Sequence, residues 1–224
     1  MKTYIISLGG SLIVPEKINA DYLKKVKDLF EKIAEENKVV LVCGGGMICR
    51  DYVAAAREIA TIDDTEADWI GIMATRLNAE LVRAIFGEKA YGKVIHNPTK
   101  KIDTDKNIII GSGWEPGCSS DLDAVLLALN FGAQTVINLT NTDYVYDDDP
   151  KKNPDAKPLE KVSWDDFLSI IGEEWKPAAN YPFDPIASKK ARDNKIKVII
   201  ANGNNLENLQ KIFDDEEFIG TEIF

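Results

Sequence analysis

The sequence predicts an α/β sandwich around a largely parallel central sheet, and three observations carry that expectation. Strand-like apolar runs alternate with helix-periodic segments along the whole chain. The runs are continuous in apolar residues, Val39-Val40-Leu41-Val42-Cys43 above all, as strands covered on both faces must be. Four strands end in glycine, hydroxyl or amide groups: Gly9-Gly10-Ser11, Gly44-Gly45-Gly46, Gly111-Ser112-Gly113 and Thr140-Asn141. Ligands of open α/β sheets bind beyond the carboxyl ends of the strands, so turns of this kind on one edge would converge and cradle a polyphosphate.

Taken in order, Tyr4–Leu8 reads as a buried strand stopped by Gly9-Gly10-Ser11. Ala20–Glu36 reads as a helix in which Tyr22, Val26, Leu29, Phe30 and Ile33 recur at helical spacing. Lys38–Cys43 is the next strand. Helices follow at Met47–Ile59 and Glu66–Ile85, the second with Trp69, Ile72, Met73, Leu77 and Leu81 at helical spacing. A polar loop leads to strand 108–110, helix Leu122–Asn130 and strand Thr135–Leu139. The charged, proline-rich stretch 147–158 is an exposed loop, and Ser163-Trp164-Asp165-Asp166 is a capped helix start. Residues 173–185 carry prolines among aromatics and read as a surface loop or lid. Helix 186–194, strand Lys197–Ala201 and a short amphipathic helix near 206–213 complete the chain.

With 224 residues the chain is long enough for one large domain or two closely packed lobes. Its 27 basic against 37 acidic side chains give a net charge of −10, and no Lys/Arg run interleaves with aromatics, which disfavours nucleic acid and membrane surfaces as partners. A nucleotide site stays open, since it needs only a local gathering of N–H groups and a few cations. Cys43, Cys49 and Cys118 lack metal-ligand spacing and point to a reducing cytosol without structural disulfides. His96, the one histidine, cannot form a zinc site alone and reads as a solvent-facing loop residue. Neither a signal-like segment nor an apolar run near membrane-spanning length is found, so a soluble, non-exported protein is expected.

The stretch 108–124, IIIGSGWEPGCSSDLDA, is where chemistry is expected. Its small and hydroxyl residues let backbone N–H groups approach a ligand, and Asp121 falls where the next helix begins. In an ordinary connection Asp121 would be that helix's cap. Neither GxxxxGK followed by Ser or Thr nor GxGxxG is present, so some other phosphate-binding fold is implied.

The segments ISLGGS (6–11), VCGGGMICRDY (42–52), DWIGIMATRLNA (68–79), PGCSSDLDA (116–124), LTNTDYVYDDDP (139–150), FDPIASKKA (183–191) and GTEI (220–223) resemble the uridylate kinases of the amino-acid kinase superfamily, nearest the archaeal-type branch. The resemblance spans nearly the whole chain. It implies a three-layer αβα sandwich of the amino-acid kinase (carbamate kinase-like) fold, one domain over 1–224, with 1–112 mainly the acceptor-side lobe and 113–224 mainly the ATP-side lobe. It implies transfer of the γ-phosphoryl of ATP to UMP, with Mg2+ held mainly by ATP oxygens and water rather than by a protein cage, and a homohexamer built from dimers.

Carried over by residue, Ser7, Leu8, Gly9, Gly10 and Ser11 would form the loop beside the ATP phosphates. Gly44 and Gly45 would lie between the nucleotides, and Gly45 and Arg50 would serve the phosphates. On the UMP side, Asp68 matches a carboxylate that takes the ribose. The acceptor loop would be Glu115, Pro116, Gly117, Cys118, Ser119, Ser120 and Asp121. Thr140, Asn141 and Asp143 match the ATP-side loop, with Tyr146 against the adenine and Asp149 near its ribose. Catalysis would rest on Asp121, organising the groups around the moving phosphoryl, with Lys189 and Arg50 as cations. Four positions depart from the pattern: Ser7 where many members have lysine, Cys118 for a histidine, Asp123 for a small apolar residue, and Tyr144 where glycine usually follows Asp143.

Read without the family, Asp68 would be a first-turn acid, Arg76 a surface or inter-subunit cation, and Trp69 and Trp164 core or interface packing. Cys118, beside a helix N-terminus, is expected to have a stabilised, reactive thiolate. Two other functions fit the scaffold: a kinase of another small phosphate or carboxylate, and a nucleotide-binding sensor or storage protein.

Overall fold

Seven strands make one sheet through the middle of the computed structural model, which describes residues 1–148, 152–172 and 181–224. The chain runs β1 (Thr3–Leu8), the short α1 (Gly10–Ile13), α2 (Ala20–Ile33), β2 (Lys38–Cys43), α3 (Gly46–Ile59), α4 (Asp64–Phe86), β3 (Ile108–Gly111) and α5 (Ser120–Phe131). It continues with β4 (Thr135–Thr140), β5 (Val145–Tyr146), β6 (Pro158–Leu159), β7 (Lys161–Val162), α6 (Trp164–Ile171), α7 (Pro185–Asp193), β8 (Lys197–Asn202), α8 (Leu206–Phe213) and β9 (Thr221–Ile223).

The strand order is β3-β2-β1-β4-β8-β9-β7. The first five are mutually parallel, β9 is antiparallel to β8, and β7 runs parallel to β9. Both faces are dry. Ile6, Leu41, Ile110 and Ile137 meet α2, α4 and α8 on one side, whereas Ile5, Val40, Ile109 and Val136 meet α5, α6 and α7 on the other. That explains the continuous apolar runs, because successive side chains enter opposite cores. Among the described residues no helix is long and apolar enough to cross a membrane.

The helix periodicities translate unevenly. In α2 the stripe is core: Tyr22, Val26, Phe30 and Ile33 are buried. In α4 the expected stripe splits. Ile72, Ala79, Val82 and Phe86 face the core, but Trp69, Met73 and Leu77 are 43%, 57% and 61% exposed. Trp69 is therefore not core, unlike the buried Trp164. α3 buries no residue, and Tyr52 and Ile59 stand exposed on it.

α6 starts as expected, with Ser163 accepting the Asp166 N–H. Among the described residues of 147–158, Asp147, Asp148 and Asp155 are exposed, and β5 and β6 pair at the base of this excursion. Thr221, fully buried, ties that hairpin to β9: its hydroxyl accepts the Val145 N–H at 2.8 Å and donates to the Leu159 carbonyl. Most of the expected lid, 173–180, and Asp149 lie outside the described residues, while Phe183, Asp184 and Pro185 at the lid's far end are buried rather than at the surface.

Candidate active site

The loops leaving β3, β2, β1, β4 and β8 stand side by side along one edge in that order. α1, α3 and α5 start from three of them and α7 starts beside them, so helix N-termini gather where an anion would be welcome.

At the centre two glycine loops interlock. Gly9 N–H donates to Leu139 O and Gly44 N–H to Leu8 O, both at 3.0 Å. A Cβ on Gly10 would lie 2.0 Å from Gly46 N, and one on Gly44 2.5 Å from Gly10 N, so only glycine lets these backbones meet. Leu8 sends its side chain into the core, leaving only its backbone to the site. Asn78 of α4, 2% exposed, donates to Gly44 O at 2.8 Å and Gly45 O at 3.1 Å. The sequence pattern contained Asn78 but assigned it no task.

α4 also holds the loop after β3. Thr75 Oγ1 accepts Gly113 N–H at 2.8 Å while donating to Ile72 O at 2.7 Å. Arg76 donates to Gly113 O at 3.4 Å and Trp114 O at 3.1 Å, with its guanidinium 6.0 Å over the Trp69 ring. It is thus a clamp within the chain rather than a plain surface cation. Asp68 Oδ2 accepts Gly117 N–H at 2.8 Å. It does not serve the helix start, because Asp63 caps α4 through Glu66 N–H and Asp68 sits a turn further in.

Asp121 is not the cap of α5; that is Ser119, whose Oγ accepts Leu122 N–H at 3.2 Å and which starts the helix at Ser120. Freed from capping, Asp121 joins distant segments: Oδ1 accepts the Ser7 hydroxyl at 3.4 Å and Oδ2 the Asp184 N–H at 3.1 Å. Asp184 caps α7 through Ala187 N–H at 2.8 Å, a job foreshadowed by the Asp-Pro pair that opens the helix. Burial raises the Asp121 carboxyl to about 7, with the charge of Asp184 adding to it and the two hydrogen bonds opposing. Burial likewise raises Asp184.

Cys118 departs from expectation. Its thiol is half-buried and donates to Asp123 Oδ1 at 3.2 Å. Burial first, then the neighbouring negative charge of Asp123, push its pKa far above the usual thiol range. The position precedes the cap and faces an acid, so burial and that negative charge outweigh any thiolate stabilisation from the helix terminus. Elsewhere in this loop, Cys118 N–H donates to Glu115 O at 3.1 Å, Glu115 and Gly117 are exposed, and Pro116 and Ser120 are half-buried.

On the far flank, Thr140 Oγ1 accepts Thr142 N–H at 3.1 Å and Asp143 Oδ1 accepts the Asn202 amide at 3.0 Å. Asn141 is exposed and Tyr146 pairs with Pro158 across the small hairpin. Tyr144 has no positive φ, so the missing glycine imposes no strain. Ser11 is half-buried beside the glycines, Arg50 is exposed in the second turn of α3, and Lys189 is half-buried on α7 with Lys190 exposed beside it. His96 is exposed but engaged: Nδ1 lies 2.8 Å from Ser112 Oγ, and burial, then Arg76, lower its pKa.

Residues 2–202 match the model of the amino acid kinase family. A uridylate kinase of Thermococcus kodakarensis is 40% identical over 199 residues, 88% of each chain. One of Methanobrevibacter smithii is 33% identical over 98% of this chain and 97% of that one. The crystal structure of the uridylate kinase from Archaeoglobus fulgidus superposes with a TM-score of 0.85 at 32% identity, covering both chains fully. With the glycine-lined edge and the doubly covered parallel sheet, these likenesses leave one assignment: the chain belongs to the amino acid kinase family and, within it, to the archaeal uridylate kinase branch.

Proposed function

We propose that this protein transfers the γ-phosphoryl group of ATP to UMP, giving ADP and UDP. The observation that carries the reading is the order of loops along the sheet edge. The interlocked Gly9–Gly10 and Gly44–Gly46 loops are central, with Asp68 and the 113–119 loop on one flank and Thr140–Asp143 with Asn202 on the other. Two nucleotides laid end to end would meet at the glycines, where no side chain separates their phosphates.

In this reading residues 1–112 form mainly the acceptor-side lobe and 113–224 mainly the ATP-side lobe. Asp68 takes the UMP ribose and the 115–121 loop embraces UMP. Ser7 to Ser11, Thr140, Asn141, Asp143 and Tyr146 serve ATP. The attacking group is a phosphate oxygen, already largely ionised at neutral pH because its second pKa is about 6. No general base is needed, and Asp121 acts by positioning: it holds the Ser7 loop and the start of α7 together. Charge developing on the moving phosphoryl falls to Lys189 and Arg50, Ser7 being neutral. Mg2+, brought in with ATP, would supply positive charge to neutralise its phosphates; among the described residues no cluster of three His, Cys, Asp or Glu offers it a separate cage.

The protein would work in the cytoplasm as a homo-oligomer, a hexamer built as a trimer of dimers. The exposed Trp69, Met73 and Leu77 of α4, with Tyr52 of α3, support association of copies through this face. Incubation with Mg-ATP and, in turn, UMP, CMP, dUMP, acetylglutamate and carbamate tests the activity. ADP release with UMP is the expected result. Release with a different acceptor would make it another small-molecule kinase, and nucleotide binding without release would make it a sensor or storage protein.

A further inference from the structure

Position 123 lies on the face of α5 that packs into the sheet core, beside Ala124, Val125, Leu127 and Ala128. A small apolar side chain would satisfy that environment. The chain instead buries a carboxyl group there, 1% exposed, with Oδ2 making no hydrogen bond. Such burial is costly unless the group holds something. What it holds is the loop: Oδ1 accepts the Cys118 thiol at 3.2 Å, and the Trp114 N–H helps stabilise its charge. The thiol follows directly on Glu115, Pro116 and Gly117, whose outer side is fixed by Asp68 through Gly117 N–H at 2.8 Å.

We propose that Asp123 is a positioning residue for the acceptor nucleotide, holding the 114–118 loop closed from beneath through the Cys118 thiol while Asp68 holds it from above. The inference rests on the reading of this loop as the UMP side. It also joins two departures from the family pattern, Cys118 and Asp123, into one feature: each supplies the partner that the other requires. A thiol is a weak donor, so the latch is strongest when Asp123 is ionised, its carboxylate then being an acceptor shielded from water. Around the pair stand Asp121, Glu115 and Asp184, all acidic, and burial together with Asp121 and Glu115 raises Asp123 to about 7.

The test uses the full-length protein and four variants: Asp123→Asn, Cys118→Ala, Cys118→Ser and the double variant Asp123→Asn with Cys118→Ala. Initial rates are measured with UMP and ATP each varied. Iodoacetamide labelling of Cys118 is followed by peptide mapping, which separates it from Cys43 and Cys49. Asp123→Asn and Cys118→Ala should each raise the KM for UMP roughly fivefold or more, with the KM for ATP and kcat changed less than about twofold. The double variant should be no worse than either single one, and Cys118→Ser, whose hydroxyl can donate to Asp123, should recover most of the loss. Asp123→Asn should label at Cys118 about tenfold faster than the parent, because burial still suppresses the thiolate but the facing negative charge and the hydrogen bond to it are gone.

Additive single effects, or an unchanged KM for UMP in Asp123→Asn, would overturn the proposal. So would unaltered labelling in that variant, which would deny the latch itself. Faster labelling with a rise only in the KM for ATP would keep the latch but sink the acceptor-side placement of the loop. A parent protein inactive on UMP would show itself in the first assay, separately from the labelling.

Discussion

Asn78→Ala removes the one side chain among the described residues whose hydrogen bonds brace the Gly44–Gly45 loop from the helix layer. The amide donates twice, to Gly44 O and Gly45 O, from a site 2% exposed. Each bond contributes about 1 kcal/mol net, and leaving both carbonyls dry adds about 1–3 kcal/mol. Against this, alanine is a better helix former than asparagine by roughly 0.6 kcal/mol. The expected loss is therefore about 2.5–4.5 kcal/mol, some 60- to 1,600-fold in the folding constant at about 1.4 kcal/mol per decade. Asn78→Asp separates the hydrogen bonds from the packing. It keeps the volume but turns a donor into a carboxylate facing two carbonyl oxygens, so at pH 8 it should be at least as damaging as alanine. At pH 5.5 it should recover in part, as the carboxyl regains a proton to donate. Urea denaturation of parent and variants at both pH values measures this, and kinetics with both substrates should show KM rising for UMP and ATP alike, since the braced loop lies between them. An alanine variant within about 0.5 kcal/mol of the parent, or an aspartate tolerated at pH 8, would refute the reasoning.

Four further outcomes follow from the same geometry. Gly10→Ala, whose Cβ would meet Gly46 N at 2.0 Å, should cost roughly 3 kcal/mol or more in urea denaturation. Gly111→Ala meets Leu127 Cδ1 at 3.0 Å, which a side-chain rotation relieves, with Val42 Cγ2 and Ile95 O at ordinary contact distances of 3.6 and 3.8 Å, and should cost about 1 kcal/mol or less. Asp121 and Asp123, both raised to about 7, bind protons in the folded state that the unfolded chain has already released above about pH 4. Stability of the ligand-free protein should accordingly fall as pH rises from about 5 to 7 and level off above, by an amount on the order of 3 kcal/mol for one such group over those two units at 1.36 kcal/mol per unit. Melting temperatures across pH 5–8 check it; a rising curve would count against buried, unpaired acids, and Asp123→Asn should flatten the slope. Lys189→Ala should lower kcat by roughly 10²–10³ and leave UMP affinity nearly unchanged, as for loss of one transition-state donor. Near-normal turnover would remove Lys189 from the mechanism.

What the sequence alone determined is whatever depends on neighbours along the chain. Continuous runs such as Val39–Cys43 announced strands covered twice, and the stripe of α2 announced its buried face. The glycines after β1 and β2 marked the edge where the loops interlock, because a strand end that must bring its backbone to another backbone can use nothing larger. The capped start at Ser163 was equally local.

Tertiary structure alone decided the relations between segments. The sequence distance from Ser7 to Asp121 is 114 residues, and from Asp121 to Asp184 it is 63, yet one carboxyl group receives hydrogen bonds from both. No local rule could separate Asp121 from the capping role that Ser119 performs, or give Asp68 its bond to Gly117 rather than to its own helix end. Nor could periodicity tell which apolar face of α4 meets the core, since Ile72 and Met73 belong to equally apolar rows and only the packed neighbours choose between them. Cys118 reversed from a reactive thiol to a suppressed one for the same reason. Helix position is written in the sequence, but burial and the charge opposite a group exist only once the chain has folded, and they dominate its ionisation.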